Sequence, residues 1–230
     1  MRSPSKNILS FASKLPTTFT GVPILSPDFA RRLNSTDEMD DFEFDQILPA
    51  RYRFASDMHW SSIQVARIIA AQLGSKSALK FIDIGSGVGK LCILLSLLTK
   101  MDIYGVEQRP HLHEIASTII NTNSIGRVNL IHGNMMDLDW ESFDVFFLFN
   151  PFMEHKLKMD ILAIDQRLER EEALYAKYVR FVEEKINSLH VGKRLITLEG
   201  FGGSVSKDWR LVSSTKLVDG ELDHWIKVRE

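Results

Sequence analysis

"FIDIGSGVGK", Phe81 to Lys90, decides the fold. A short apolar strand runs into a turn with glycine at positions 85, 87 and 89, and "LCILLSLL" continues at once as an apolar helix. Strand, glycine turn and helix in immediate succession open a sheet of the α/β kind, in which ligands lie at the carboxyl ends of the strands. Three alternate glycines cost chain entropy on folding, so they need a reason. Tight curvature and close approach of the backbone to a ligand supply one.

The pattern continues outward in both directions. Ahead of the turn, "SSIQVARIIAAQLG" predicts a helix, with Ser61 or Ser62 at its N-cap, Ile63, Ala66, Ile69, Ala70 and Leu73 as its stripe, and Gly74 at its end. Beyond it, "MDIYGVE", "RVNLIHG", "FDVFFLFN" and "KRLITLEG" read as further strands. The fourth strand is apolar throughout, as a strand covered on both faces should be. "HLHEIASTIINTN" is a helix with Pro110 in its first turn. A longer helix is expected from near Leu168 to Leu189, its core stripe running through Leu174, Tyr178, Val182, Ile186 and Leu189. "WRLVSSTKLV-DG-ELDHWIKV" is two strands around Asp219-Gly220, a hairpin. The expected fold is therefore α/β: a doubly wound, mostly parallel, seven-stranded sheet with an antiparallel C-terminal hairpin.

At 230 residues, 44% hydrophobic and 25% charged, the chain is long and apolar enough for one domain with a real core. We divide it into an N-terminal extension, residues 1–50, and a ligand-binding domain, residues 51–230. Residues 1–30 hold Arg2, Lys6 and Lys14 with no acid before Asp28, which reads either as a loosely packed basic extension or as an organelle-targeting segment. The expected compartment is accordingly the cytoplasm, or an organelle reached through residues 1–30. "DEMDDFEFD", Asp37 to Asp45, carries six acids in nine residues and is expected to be a solvated face or linker, or to pair with the basic segment before it. A net charge of −2 argues against a broad nucleic-acid surface. The longest apolar run, "LCILLSLL", is far short of the roughly twenty residues of a membrane span. The single cysteine, Cys92, allows no internal disulfide and is expected on a buried helix face. His111 and His113, at i and i+2 on a helix, do not face one side and are read as surface residues, with no metal expected. His155, close after "NPF", is read as a solvated residue, with a base as the alternative.

Spacing narrows the ligand. A dinucleotide turn, G-x-G-x-x-G, would need glycine at position 90, which is Lys90, and the G-x-x-x-x-G-K-[ST] phosphate loop is absent. Asp83 stands two residues before the first glycine; a carboxylate ~6 Å from a phosphate costs roughly 3 kcal/mol per charge at an effective dielectric near 20, whereas beside a cation the same interaction is favourable. S-adenosylmethionine, with an adenosine, a sulfonium and no phosphate, answers that description. Glu107, at the end of the second strand, suits the hydroxyls of a ribose.

"DIGSGVGK" resembles the first motif of the class I (Rossmann-like) S-adenosylmethionine-dependent methyltransferases. The likeness extends by pattern from Arg51 to Glu230 and is sharpest from Phe81 to Phe152. It implies a cofactor cradle of Asp83, Gly85, Ser86, Gly87 and Gly89, with Glu107 on the ribose. Asn134, where many members carry Asp, would meet the adenine amino group, and the Met135 N–H a ring nitrogen. Trp60 would fold over the methionine end. In the amino-group methyltransferases [N/D]-P-P-[F/Y] holds the acceptor; here "NPF", one proline short, assigns that catalytic role to Asn150, Pro151 and Phe152. A narrower likeness, in "DIGSGVGK…GVEQRPHLHEIA", is to the non-SET histone lysine methyltransferases and to uncharacterised bacterial relatives. An amine nitrogen such as a protein lysine is the acceptor this implies first. A small molecule, an RNA, or a non-catalytic module that binds S-adenosylmethionine are the alternatives.

Overall fold

The computed structural model describes residues 23–53, 55–74, 78–156 and 172–229. Within them one seven-stranded sheet has the order β3-β2-β1-β4-β5-β7-β6. Its strands are β1 (Lys80–Ile84), β2 (Asp102–Glu107), β3 (Val128–His132), β4 (Val145–Phe149), β5 (Arg194–Leu198), β6 (Trp209–Leu217) and β7 (Gly220–Lys227). β1 to β5 run parallel, and β7 lies antiparallel between β5 and β6. The fold expected from the sequence is the fold observed, with the hairpin's second strand inserted inside its first.

Strand alternation sorts the side chains into two layers. Phe81 of β1 and Val145 and Phe147 of β4 face one cluster; Ile82, Ile84, Phe146 and Leu148 face the other. The first layer is covered by α5 (Ile63–Leu73), α6 (Lys90–Leu98) and α7 (Pro110–Thr122). The second is covered by α9 (Glu172–Ser188) and the short turns that bury Met135 and Trp140. Ser62 is the N-cap of α5, accepting the Val65 N–H at 3.3 Å, and Gly74 closes it with a φ of +83°. The part of the long helix expected before residue 172 lies outside the described residues, as do residues 1–22 of the basic segment. α9 is closed by a side chain from another element: buried Lys227 donates to the carbonyls of Asn187 at 2.6 Å and Ile186 at 3.3 Å, groups that otherwise lack partners at a helix end.

The acidic run is a solvated face only in part: Asp37, Glu38 and Asp40 are exposed, while Asp41, Glu43 and Asp45 are taken up in ion pairs. α1 (Phe29–Leu33), α2 (Asp41–Asp45), α3 (Ala50–Arg53) and α4 (Ser56–His59) fold onto the first layer. Phe29, Leu33, Phe44, Ile47, Leu48 and Tyr52 join the same core as β1. Arg32 of the basic segment pairs with Glu43 at 2.6 Å. Asp41 and Asp45 pair with the buried Lys90 at 2.7 and 2.9 Å. A period-3.6 stripe is hard to see in "DFEFD" because each apolar residue is flanked by acids, yet two of those acids are ligands for one buried ammonium. The segment ahead of residue 51 is thus tied by charge to the helix that follows the glycine turn.

β7 carries a second unusual polar group. His224 is 3% exposed, and neither of its ring nitrogens has a hydrogen-bond partner among the described residues. Burial, helped by the nearby Arg194, lowers its pKa to about 4. The unfolded chain therefore takes up a proton near pH 6.5 that the folded chain refuses until about pH 4, so stability is retained above the upper value and lost as pH falls through that window. His224→Leu removes the loss: the variant's stability relative to wild type is expected to rise by about 2 kcal/mol between pH 7 and pH 4.5. Urea melts at the two pH values measure it. A difference that does not change with pH would mean that His224 is solvated or partnered.

Candidate active site

The chain extends the sheet outward from β1 through β2 to β3, then returns to add β4 on the other side of β1. That reversal opens a crevice above β1 and β4, at the carboxyl ends of the strands. A cavity lies there, with Gly85, Glu107, Arg109, Asn134, Pro151 and Tyr178 in its walls.

The glycine turn needs its glycines. Gly85, Gly87 and Gly89 have φ of +83°, +56° and +76°, in the left-handed region that side chains disfavour. A Cβ on Gly87 would lie 2.4 Å from the Trp60 ring, one on Gly85 3.4 Å from Cβ of Pro151, and one on Gly89 3.0 Å from Ala116. The turn is thus packed between Trp60 on one flank and the "NPF" stretch on another. The Trp60 indole N–H donates to the Tyr52 carbonyl at 3.1 Å, so the N-terminal helices hold the ring in place. Ser86 is buried, its side chain against Gly105 of β2.

Asp83 lies beneath the turn. Alternation along β1 sends it to the same face as Phe81, where its carboxyl stands 3.7 Å from the Cys92 sulfur of α6. Burial raises its pKa to about 7, the thiol contact opposes that rise, and the charge of Glu107 adds to it. The thiol of Cys92 is itself pushed up by burial and by Asp83. A group titrating near neutrality and buried below the turn exerts less charge on a ligand than the full carboxylate expected from the sequence.

Glu107 ends β2 and is 2% exposed. Its Oε2 accepts the Gly87 N–H at 2.9 Å and Nη2 of Arg109 at 3.1 Å. Its Oε1 accepts the Arg109 backbone N–H at 2.9 Å and Nε at 2.8 Å. Nη1 of Arg109 reaches both oxygens of Glu154, at 3.2 and 3.1 Å. Burial works against the charged guanidinium, but Glu107 and Glu154 outweigh it and hold its pKa above the ordinary arginine value. His59 of α4 approaches Glu154 at 3.7 Å.

After β3, Asn134 caps a short 3₁₀ turn. Its Oδ1 accepts the Met136 N–H at 3.0 Å and its amide donates to the Tyr178 hydroxyl at 3.1 Å. The Met135 side chain is buried in the wall, and no described residue accepts its N–H. After β4, Asn150 adopts a φ of +36°, and its N–H donates to the Gly200 carbonyl at 3.0 Å. That bond ties "NPF" to the loop beyond β5. Phe152 is buried and stacks on Tyr178, ring centroids 5.3 Å apart at 26°.

The structure brings Gly85, Glu107, Asn134, Met135, Pro151 and Phe152 together around one cavity. Gly87 and Gly89, in the same turn, lie outside the cavity wall and pack against Trp60 and Ala116, and Asp83 and Ser86 lie beneath the turn. His155, read from the sequence as solvated, is instead buried in the cavity wall, its ring 5.5 Å from Tyr178. α8 (Met153–Lys156) turns it inward. His111 and His113 are half-buried, and His113 lies 5.3 Å from the His132 ring. Among the described residues no three His, Cys, Asp or Glu side chains converge as a metal site.

Sequence reasoning missed Gln108, Arg109, Glu154 and Tyr178. Tyr178 reads as a member of the core stripe of α9, and it is buried there. Its hydroxyl is the available signal, because a buried tyrosine needs a polar partner. That hydroxyl takes the Asn134 amide and donates to Gln108 at 3.3 Å. The link from Arg109 to Glu154 carries no signal, since the two are 45 residues apart in the chain.

A family model described as a methyltransferase domain matches residues 75–208. Solved structures of similar shape include a mutant of MtNAS in complex with S-adenosylmethionine, 17% identical, TM-score 0.50, covering 86% of this chain and 70% of that one. An RNA methyltransferase from Salinibacter ruber in complex with S-adenosyl-L-homocysteine is 16% identical, TM-score 0.51, covering 74% and 94%. TrmN from Thermus thermophilus is 13% identical, TM-score 0.55, covering 77% and 52%. At these identities the likeness is one of fold. No curated protein sequence matches the chain. No helix among the described residues is long and apolar enough to cross a membrane.

Proposed function

The chain belongs to the methyltransferase-domain family, and from that premise we propose that it transfers the methyl group of S-adenosylmethionine to an amine nitrogen, the acceptor being a protein lysine. One observation carries the reading: the glycine turn, Glu107, Met135 and Pro151–Phe152 meet at a single cavity. Three features suit an adenosyl group. The turn is bare of Cβ atoms where it curves, a carboxylate stands at the end of β2, and the Met135 N–H has no acceptor among the described residues. Two solved structures of the same fold hold this compound or its demethylated product.

When bound, the cofactor supplies an electrophilic methyl carbon on a sulfonium. The protein's part is placement. Methyl transfer needs the nucleophile and carbon aligned about 3–3.5 Å apart. In this reading Asn150, the neighbour of the cavity-wall residue Pro151 but not itself in the wall, and the Pro151 carbonyl accept hydrogens of a neutral amine and aim its lone pair. The N–H of Asn150 is tied to Gly200, which holds that geometry rigid. Phe152, locked against Tyr178, closes the wall and excludes water rather than lying free as a stacking platform. No strong base is required if the amine enters neutral.

The test uses the full chain with methyl-labelled S-adenosylmethionine and a cell lysate separated into protein, RNA and metabolites. Label is expected in protein, on lysine. Asn150→Gly, which removes the side chain while tolerating the left-handed backbone, is expected to lower the rate about 100-fold. Label appearing in RNA or metabolites overturns the acceptor. Binding without label anywhere overturns catalysis, and an Asn150→Gly variant of undiminished rate overturns the role of "NPF".

A further inference from the structure

We propose that Arg109 is a stand-in for the ribose: it occupies on Glu107 the acceptor positions that the ribose hydroxyls of the methyl donor take, and it shifts its hold to Glu154 as the nucleoside enters. The inference rests on the proposed use of S-adenosylmethionine.

A carboxylate offers about four lone-pair positions. Glu107 accepts four hydrogen bonds: from the Gly87 N–H, the Arg109 N–H, and Nε and Nη2 of Arg109. It is 2% exposed, so water does not share the load. Two ribose hydroxyls can bind there only if two donors leave. The two backbone N–H groups are held by the glycine turn and by the residue that opens α7. The side chain of Arg109 is the part that can move. Its destination is already in contact: Nη1 is bonded to both oxygens of Glu154, a cavity-wall residue on α8. The guanidinium has five donors, so after leaving Glu107 it can turn its free edge to Glu154 without losing its countercharge. The same arrangement keeps the buried Glu107 paired. Entry is therefore conditional on a ligand with two hydroxyls able to replace the two arginine bonds.

The two charged partners should then act with opposite signs. Arg109→Gln frees Glu107 and is expected to tighten binding of S-adenosylhomocysteine about tenfold, the loss of one charge-assisted competitor being worth roughly a factor of ten. Glu154→Gln keeps one acceptor oxygen but removes the charge that draws the guanidinium, favours Arg109 staying on Glu107, and is expected to weaken binding at least about fivefold. Calorimetric titration of wild type and both variants at pH 8 reads both. Because Arg109→Gln takes the guanidinium from two carboxylates at once, a second readout uses wild type alone: the Nε–H resonance of Arg109 is expected to shift on saturation with S-adenosylhomocysteine. Opposite signs and a shifted resonance support the exchange. Weaker or unchanged binding in Arg109→Gln, tighter binding in Glu154→Gln, or an unmoved Nε–H overturns it while leaving the cofactor assignment standing. Absence of saturable binding in all three proteins overturns the cofactor assignment itself, and the exchange with it.

Discussion

Lys90→Met is expected to lower the stability of the folded chain by about 3–5 kcal/mol, because removing one partner of a buried ion pair leaves its countercharges unpaired. Lys90 is 2% exposed, and it opens α6 directly behind the glycine turn. Its ammonium meets Asp41 at 2.7 Å, Asp45 at 2.9 Å and the Ser56 hydroxyl at 2.9 Å. A cation at a helix N-terminus works against the helix dipole, so the local sequence gives no reason for it; the two carboxylates from α2 do. Burial raises the pKa of Asp45 against the pull of Lys90. Without Lys90 that carboxyl is driven further toward its neutral form. For a chain of this size the loss corresponds to a fall in melting temperature on the order of 10 °C. Adding Asp45→Asn to Lys90→Met should restore part of it, since an apolar and a neutral residue together tolerate burial better than one orphaned charge. A single variant melting within about 2 °C of wild type would show that the cluster is solvated and contributes little.

Gly87→Ala is expected to reduce affinity for S-adenosylhomocysteine by about 100-fold or more, on the order of 3 kcal/mol. Three effects add. The residue sits at φ +56°, which alanine adopts only with strain. Its Cβ would overlap the Trp60 ring at 2.4 Å. That ring is fixed through its N–H to Tyr52 and cannot yield without moving the N-terminal helices. Finally, the Gly87 N–H donates to Glu107, so a displaced turn also disturbs the carboxylate assigned to the ribose. Titration calorimetry checks the affinity, and a melt without ligand separates it from unfolding. Affinity within about threefold of wild type would mean that the turn does not contact the cofactor.

The parts of the site legible in the sequence are those carried by short-range pattern. Glycines at alternate positions after an apolar strand, an acid at the next strand's end and Asn-Pro-Phe after the fourth strand are each local signals, and the sheet's topology brings all three to one edge. Asp83 shows the limit of such signals. Its position in the chain is visible, but the face it takes is set by strand alternation, and its charge by burial against Cys92. His155 reads as solvated because "MEHK" carries no apolar stripe. A four-residue helix packed by Tyr178 from the other side of a long connection buries it regardless.

From the sequence alone followed the α/β class, the parallel sheet with its closing hairpin, the place of the cavity and a ligand without phosphate. These depend on periodicity, glycine spacing and turn chemistry, which act over a few residues. Only the tertiary structure decided what neutralises Lys90, what holds Trp60 over the turn, and that Glu107 is already saturated by Arg109 and, through it, linked to Glu154. Lys90 with Asp45 and Arg109 with Glu154 are each 45 residues apart along the chain, and Glu107 and Arg109, though two residues apart, pair as they do because folding buries them. Their strength depends on how deeply folding buries them, and no local pattern records that depth.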